Sequence, residues 1–223
     1  MVRPGDTFVD VGSNLGIYSL YVARLLGGHG RVFAFEPDPD TFGVLLRNIE
    51  SNGLTHVIRA EEKALTNANT PLEFFPVPEE PMMSSFLPQP GSEAKAIRVS
   101  GVRLDDYLNG LGVGGVDIIK LDLEGAEPMA LQGMAASLQS SRLLIIEVNR
   151  PQLNRIGLDP VDLIREVMAT RRFDSLFRID AGADALPRLE EHSLASAMSE
   201  YAIVNVVCAR HSMLPSILRQ LVA

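Results

Sequence analysis

Charged residues placed within or beside apolar runs mark where this chain could do chemistry. Asp10 lies in TFVDV and Glu36 follows RVFAF. Lys120, Asp122, Glu124 and Glu127 crowd DIIKLDLEGAE, and Glu147 lies inside LLIIEVN. An acid in such a run is costly to bury unless it has a partner, so each implies a counter-charge, a donor or a ligand. After the first run comes Gly12-Ser13-Asn14-Leu15-Gly16. Gly12 permits a tight turn and close approach of a ligand to the backbone. Asn14 is among the few residues that tolerate a left-handed conformation, and Gly16 lets the next helix pack closely on the strand.

What could such a turn hold? The spacing is not G-x-G-x-x-G, and no Lys-Ser/Thr pair follows as in a phosphate loop. Asp10 would repel a pyrophosphate and attract an ammonium group. A ligand with an amino group and a carboxylate suits both the acid and the helix start, and the methionine part of S-adenosylmethionine is one. A plain strand-to-helix turn is the alternative. Glu36 ends its run where a carboxylate can accept both hydroxyls of a ribose. Pro37 and Pro39 then stop the strand and start a helix, with Asp38 as its cap. Further on, Ala64 with Leu65 could wall an adenine ring and Glu62 could accept from its exocyclic amine, although Glu61 and Lys63 are equally near.

Lys120, Asp122 and Glu124 share one side of a strand if alternation persists. The structural reading is an ion pair of Lys120 with one acid, and Glu127 near a helix start. The chemical reading is a base for a hydroxyl group: Asp122 first, Glu124 and Glu147 next, with His192 in reserve. Lys120 would orient the acid or stabilise an alkoxide. No histidine accompanies the acids and Lys120 opposes a cation, so no metal is expected.

These residues need a frame. Candidate strands are Thr7–Val11, Arg31–Glu36, His56–Ala60, Val116–Leu121, Leu143–Val148, Phe173–Ile179 and Tyr201–Ala209. Candidate helices are Leu15–Leu26, Pro39–Ser51, Pro128–Leu138, Pro160–Thr170 and Leu214–Leu221. Such alternation predicts an α/β, doubly wound, Rossmann-like and mostly parallel sheet within one domain spanning residues 1–223. The last two strands lack a helical segment between them, because Asp180–Glu200 reads as a polar loop; they are expected as an antiparallel pair at one edge. Pro76–Lys95, rich in proline, reads as a long loop between the short strands LEFF and AIRVS, a lid or substrate loop. Ligands of open α/β sheets bind at the carboxyl ends of the strands. That rule puts His29, His56 and His211 on the wrong face and leaves only His192 on the right one.

Composition narrows the partners. The chain has 223 residues, 46% hydrophobic and 22% charged, with a net charge of -8. No basic stripe is visible, which argues against a nucleic-acid substrate. The single cysteine, Cys208, excludes an internal disulfide and reads as a small buried hydrophobe. No apolar run has membrane-spanning length and no secretory signal is evident, so a cytoplasmic location is expected.

VDVGSNLGIYSL, FAFEPDP and IIKLDLEGAE, in that order, look like the FkbM-type methyltransferases, a branch of the class I S-adenosylmethionine-dependent fold. MSSF (Met83 to Phe86) and IIEVN are similar too. The resemblance runs from about Gly5 to Asn149. It implies a seven-stranded sheet with an antiparallel last strand, S-adenosylmethionine as cofactor, and contacts to it from Asp10, Gly12, Asn14, Gly16 and Glu36. Ser13 and Pro37 lie in the same motifs. It places Asp122 and Glu124 beside the transferred methyl, and it implies O-methylation of a sugar, polyketide or related hydroxyl acceptor. Such enzymes often carry an N-terminal segment over the substrate. Here Pro76–Lys95 and Asp180–Glu200 would do the covering, unless the chain is a trimmed domain. The rival readings are a non-catalytic S-adenosylmethionine-binding domain and, against the glycine spacing, a nicotinamide dehydrogenase.

Overall fold

The computed structural model describes residues 2–77, 79, 84–88, 95–171, 173–179 and 186–210. The chain opens with β1 (Thr7–Val11), α1 (Ile17–Leu25), β2 (Arg31–Phe35), α2 (Pro39–Ser51) and β3 (Ile58–Glu61). An excursion follows: β4 (Ala64–Leu65), β5 (Leu72–Phe74), β6 (Ile97–Val99), β7 (Gly101–Val102) and α3 (Leu104–Gly110). The second half holds β8 (Ile118–Leu121), α4 (Glu127–Gln132), α5 (Ala135–Ser140), β9 (Leu143–Asn149), α6 (Arg150–Arg155) and α7 (Pro160–Arg171). It closes with β10 (Ser175–Ile179), β11 (Arg188–Leu189), α8 (Leu194–Glu200) and β12 (Ile203–Ala209).

The main sheet runs β11-β10-β12-β9-β8-β1-β2-β3. Pairs from β9 through β3 are parallel, and β12 is antiparallel to both β9 and β10. The chain winds outward through β2 and β3, then returns to set β8 beside β1. Strand order therefore reverses at β1/β8, where such sheets bind ligands. Register there pairs Asp10 with Lys120 across the two strands.

Helices cover both sheet faces, which is why the central strands are mostly apolar, with Asp10 and Lys120 as the charged exceptions. All residues of β1 and β8 are buried. On one face Phe8, Val32 and Ala34 pack under Val22 of α1, Leu26 at its C-cap and Leu45 of α2. On the other, Val9, Val11 and Phe35 meet Leu104, Ala130, Leu138 and Ile164 of α3, α4, α5 and α7. Asp38 caps α2 by accepting from the Asp40 amide, with Pro39 in the first turn.

The expected doubly wound sheet and its antiparallel closing strand are present, with one addition. The stretch read as a polar loop, Asp180–Glu200, contributes β11 as an eighth, two-residue edge strand and also forms α8. The single helix expected over Pro128–Leu138 is two. At Gly133 a side chain would come within 2.0 Å of the Thr66 carbonyl oxygen, so the backbones touch and the helix restarts. LEFF and AIRVS form the antiparallel pair β5–β6. The expected helix Leu214–Leu221, His211, Met83 and much of the Pro76–Lys95 loop lie outside the described residues.

Candidate active site

A cleft of about 310 Å³ opens at the carboxyl ends of β1, β2, β8 and β9. Its floor is the turn after β1. The amides of Gly12 and Ser13 donate to the Phe35 carbonyl at 3.1 and 2.9 Å, tying this turn to β2. Ser13 Oγ donates to the carbonyls of Asp10 (2.9 Å) and Phe35 (3.2 Å). Gly12 has φ of 73°, and a Cβ there would sit 2.0 Å from the Asp122 carbonyl oxygen. Glycine is thus demanded by the neighbouring turn, which occupies the space that the sequence reading reserves for a ligand. Asn14 takes a left-handed φ of 50°. At Gly16 a Cβ would lie 2.5 Å from Leu45 Cδ1, so this residue lets α2, rather than the strand, approach α1.

Glu36 lines the cleft beside Pro37. Its Oε2 accepts from the Asn14 amide at 2.9 Å and its Oε1 from the Asp38 amide at 2.9 Å. Each oxygen retains a further lone pair. Burial pushes its pKa up to about 7, against the pull of those two amides.

Asp10 does not line the cleft. It is fully buried behind the turn, where Oδ2 accepts from Ser19 Oγ at 2.6 Å. Its Oδ1 has no hydrogen-bond partner among the described residues. Burial raises its pKa, while Lys120 and Ser19 oppose the rise. In this position Asp10 faces the ammonium of its register partner, not open solvent.

The acidic rim is denser. Lys120 is buried, donates to Asp122 Oδ2 at 2.9 Å, and holds its Nζ 4.7 Å from the Tyr18 ring centroid. Burial acts to lower its pKa, but Asp10 and Asp122 outweigh it and the net shift is upward. Glu124, at a left-handed φ of 52°, accepts from Asn149 Nδ2 at 2.7 Å. Oxygens of Asp122, Glu124 and Glu147 lie within 4.8 Å of one another. Crowding shows in Glu147, whose pKa rises to about 8 through burial and then through Asp122 and Glu124. Burial, followed by Asp122, also raises Glu124. Oxygen donors so close could take a hard divalent cation, which the ammonium bound to Asp122 opposes.

Glu127 stands beneath this rim and does not reach the cleft. Its Oε1 accepts from the amides of Leu123 (2.8 Å) and Gly125 (3.3 Å), which clamps the turn carrying Glu124. It is fully buried, and burial pushes its pKa up to about 7.

Gly12, Ser13, Asn14, Glu36, Pro37, Lys120, Asp122, Glu124 and Glu147 thus come together around one cleft, while Asp10, Gly16, Glu62 and Ala64 do not border it. Ala64 and Leu65 are buried. His192 lies in an exposed 3-10 turn before α8, away from the cleft. Sequence reasoning did not assign Tyr18 or Phe74, which line the cleft, and marked Ser84 only as part of MSSF. Phe86 also lines it and had a signal, as the last residue of MSSF.

An open sheet with this order, closed by an antiparallel strand and cut by an acid-rimmed cleft at its reversal point, is a Rossmann-like fold of the methyltransferase class. Methyltransferase FkbM from Methylobacillus flagellatus KT shares it with a TM-score of 0.55 and 18% identity, over 80% of this chain and 40% of that one. The Methyltransferase FkbM domain model matches residues 10–178, and the chain belongs to that family. Hexuronic acid methyltransferase AglP of Haloferax volcanii is 26% identical over 179 residues, covering 80% of this chain and 68% of that protein. 31-O-demethyl-FK506 methyltransferase FkbM of Streptomyces tacrolimicus is 26% identical over 163 residues, and the chain spans 61% of its length. Among the described residues no helix is long and apolar enough to cross a membrane.

Proposed function

We propose that this chain transfers a methyl group from S-adenosylmethionine to a hydroxyl oxygen of a small molecule or glycan. One observation carries the reading: the glycine turn, Glu36 and the trio Asp122, Glu124 and Glu147 border a single cleft at the strand reversal. Family membership supports it, as does the name of the Streptomyces relative, which puts the methyl on an oxygen. The cofactor fits. A cleft of about 310 Å³ is within the range for small ligands, and Glu36 is fixed by two amides with lone pairs to spare for a diol. The Gly12–Asn14 turn and the start of α1 would face its amino-acid part. When bound, its sulfonium supplies an already activated methyl.

The protein's part is alignment and proton removal. Glu147 takes the hydroxyl proton, since its pKa of about 8 gives it the basicity for that task. Asp122, fixed by Lys120, and Glu124, fixed by Asn149, hold the acceptor in place. Lys120 offsets the negative charge that grows on the acceptor oxygen.

Calorimetry with S-adenosylhomocysteine, followed by transfer of labelled methyl to a panel of hydroxyl acceptors, tests this. Binding near micromolar and label on oxygen are expected. Glu147→Gln should lower kcat by about 10²- to 10⁴-fold, the usual worth of general base catalysis, and leave S-adenosylhomocysteine affinity intact. Asp122→Asn should raise the acceptor KM as well. Binding without transfer to any acceptor would favour a non-catalytic binding domain, and heat with NAD in place of S-adenosylhomocysteine would favour a dehydrogenase.

A further inference from the structure

We infer that Phe86, backed by Phe74, is the surface on which the cofactor's base stacks; this rests on the reading that the cleft holds an adenosine compound. An adenine needs a flat apolar wall. The sequence offers Ala64 and Leu65, but both are buried, at 1% and 2% exposure, and neither borders the cleft. What packs over them are β5, through Phe74, and the segment 84–88, through Phe86. Ala64 clusters with Phe74, and Phe86 packs on that cluster. The two rings meet edge to face, with centroids 5.2 Å apart, and both line the cleft with Glu36 and Pro37.

Phe86 is held in place by its neighbours. Phe75 and Ser85 exchange backbone hydrogen bonds, Phe75 N to Ser85 O at 2.9 Å and Ser85 N to Phe75 O at 3.3 Å. Ser85 is buried and its Oγ donates to the Leu87 carbonyl at 2.6 Å. Ser84 Oγ accepts from the Val77 amide at 2.9 Å. The ring is therefore presented by a braced segment, preorganised before a ligand arrives.

Elimination points the same way. Among the described residues, the aromatic rings lining the cleft are Tyr18, Phe74 and Phe86. Tyr18 has the Lys120 ammonium over its ring, which places it at the carboxylate end where the methyl must be. A base extending from a ribose on Glu36 then finds its flat surface at the other two rings.

The test is calorimetry of S-adenosylhomocysteine and of adenosine alone with wild type, Phe86→Tyr, Phe86→Leu and Phe86→Ala. Stacking of a base on an aromatic ring corresponds to about 5- to 150-fold in affinity. Leucine and alanine should weaken both ligands by at least about fivefold, within that range, while tyrosine should stay near wild type. Leucine keeps most of the apolar bulk, so matched urea unfolding of Phe86→Leu and wild type separates lost stacking from lost structure. In wild type, adenine H2 and H8 proton resonances should move upfield on binding, and this ring-current shift should shrink in Phe86→Leu. Folded Phe86→Leu and Phe86→Ala proteins that bind both ligands like wild type would overturn the inference. A wild-type protein that gives no heat with S-adenosylhomocysteine would instead overturn the reading beneath it.

Discussion

Glu127 allows the electrostatics beneath the cleft to be tested without any substrate. It is fully buried, and burial lifts its pKa from an ordinary 4.5 to about 7. The sign follows from linkage: between those values the folded protein binds the proton and the unfolded chain has released it. Stability therefore falls as pH rises through that window and is level above it. Integrated from pH 5 to pH 8, the loss is about 2.5 kcal/mol at 1.36 kcal/mol per pKa unit. Glu127→Gln keeps an oxygen to accept from the Leu123 and Gly125 amides but has no charge to bury. Its new NH2 group occupies the place of Oε2, which lacks a partner among the described residues. An unsatisfied donor there costs about 1–3 kcal/mol, but equally at every pH. Urea unfolding of both proteins at pH 5 and pH 8, analysed by linear extrapolation, gives the double difference. The variant should gain about 2.5 kcal/mol on wild type between the two pH values. A gap that stays constant within about 0.5 kcal/mol, a fifth of the linkage expectation, would mean that Glu127 ionises as a solvated acid does, and the burial argument would fail.

Two further expectations concern the rim. Lys120→Met breaks the ion pair of the buried Lys120 with Asp122 and removes the cation nearest Asp10, a change worth up to about 3–5 kcal/mol. The loss should be larger at pH 8 than at pH 5, because the pKa of Asp10 is raised and acid favours its neutral form; paired melts at the two pH values measure it. If Glu147 removes the acceptor proton, kcat/KM should climb tenfold per pH unit below about 8 and level off above it. The same profile for Glu147→Gln should lose that rise, and an unchanged profile would assign the proton to another group.

Much of the frame could be read from the residues. Thr7–Val11 and Pro39–Ser51 have the bounds that hydrophobic runs and proline punctuation suggest. The helices Leu104–Gly110, Arg150–Arg155 and Leu194–Glu200 were not foreseen. Each makes two turns or fewer, too short for a periodic pattern to emerge. The break at Gly133 depends on Thr66, remote in sequence, and local propensity carries no trace of it. At the cleft, Asn14 and Glu36 were legible because a left-handed turn and an acid after an apolar run are local facts. The position of Asp10 behind the turn was in principle legible, since it shares a strand face with Phe8, which packs under α1 and α2. Of the aromatic wall only Phe86 was marked, through MSSF; its pairing with Phe74 was not, because only the fold of the excursion brings the two rings together at the cleft.

The pairing of Asp10 with Lys120 has a consequence for assembly. β1 and β8 are strangers in sequence, and Val, Ile and Leu on both faces of a parallel strand tolerate sliding. A shift of one residue would send the two charged side chains to opposite sides of the sheet. A shift of two would set Asp10 against Ile118 or Asp122. Two opposite charges set side by side in the buried middle of the sheet thus act as an alignment key, rejecting misregistered versions of the joint on which the cleft is built.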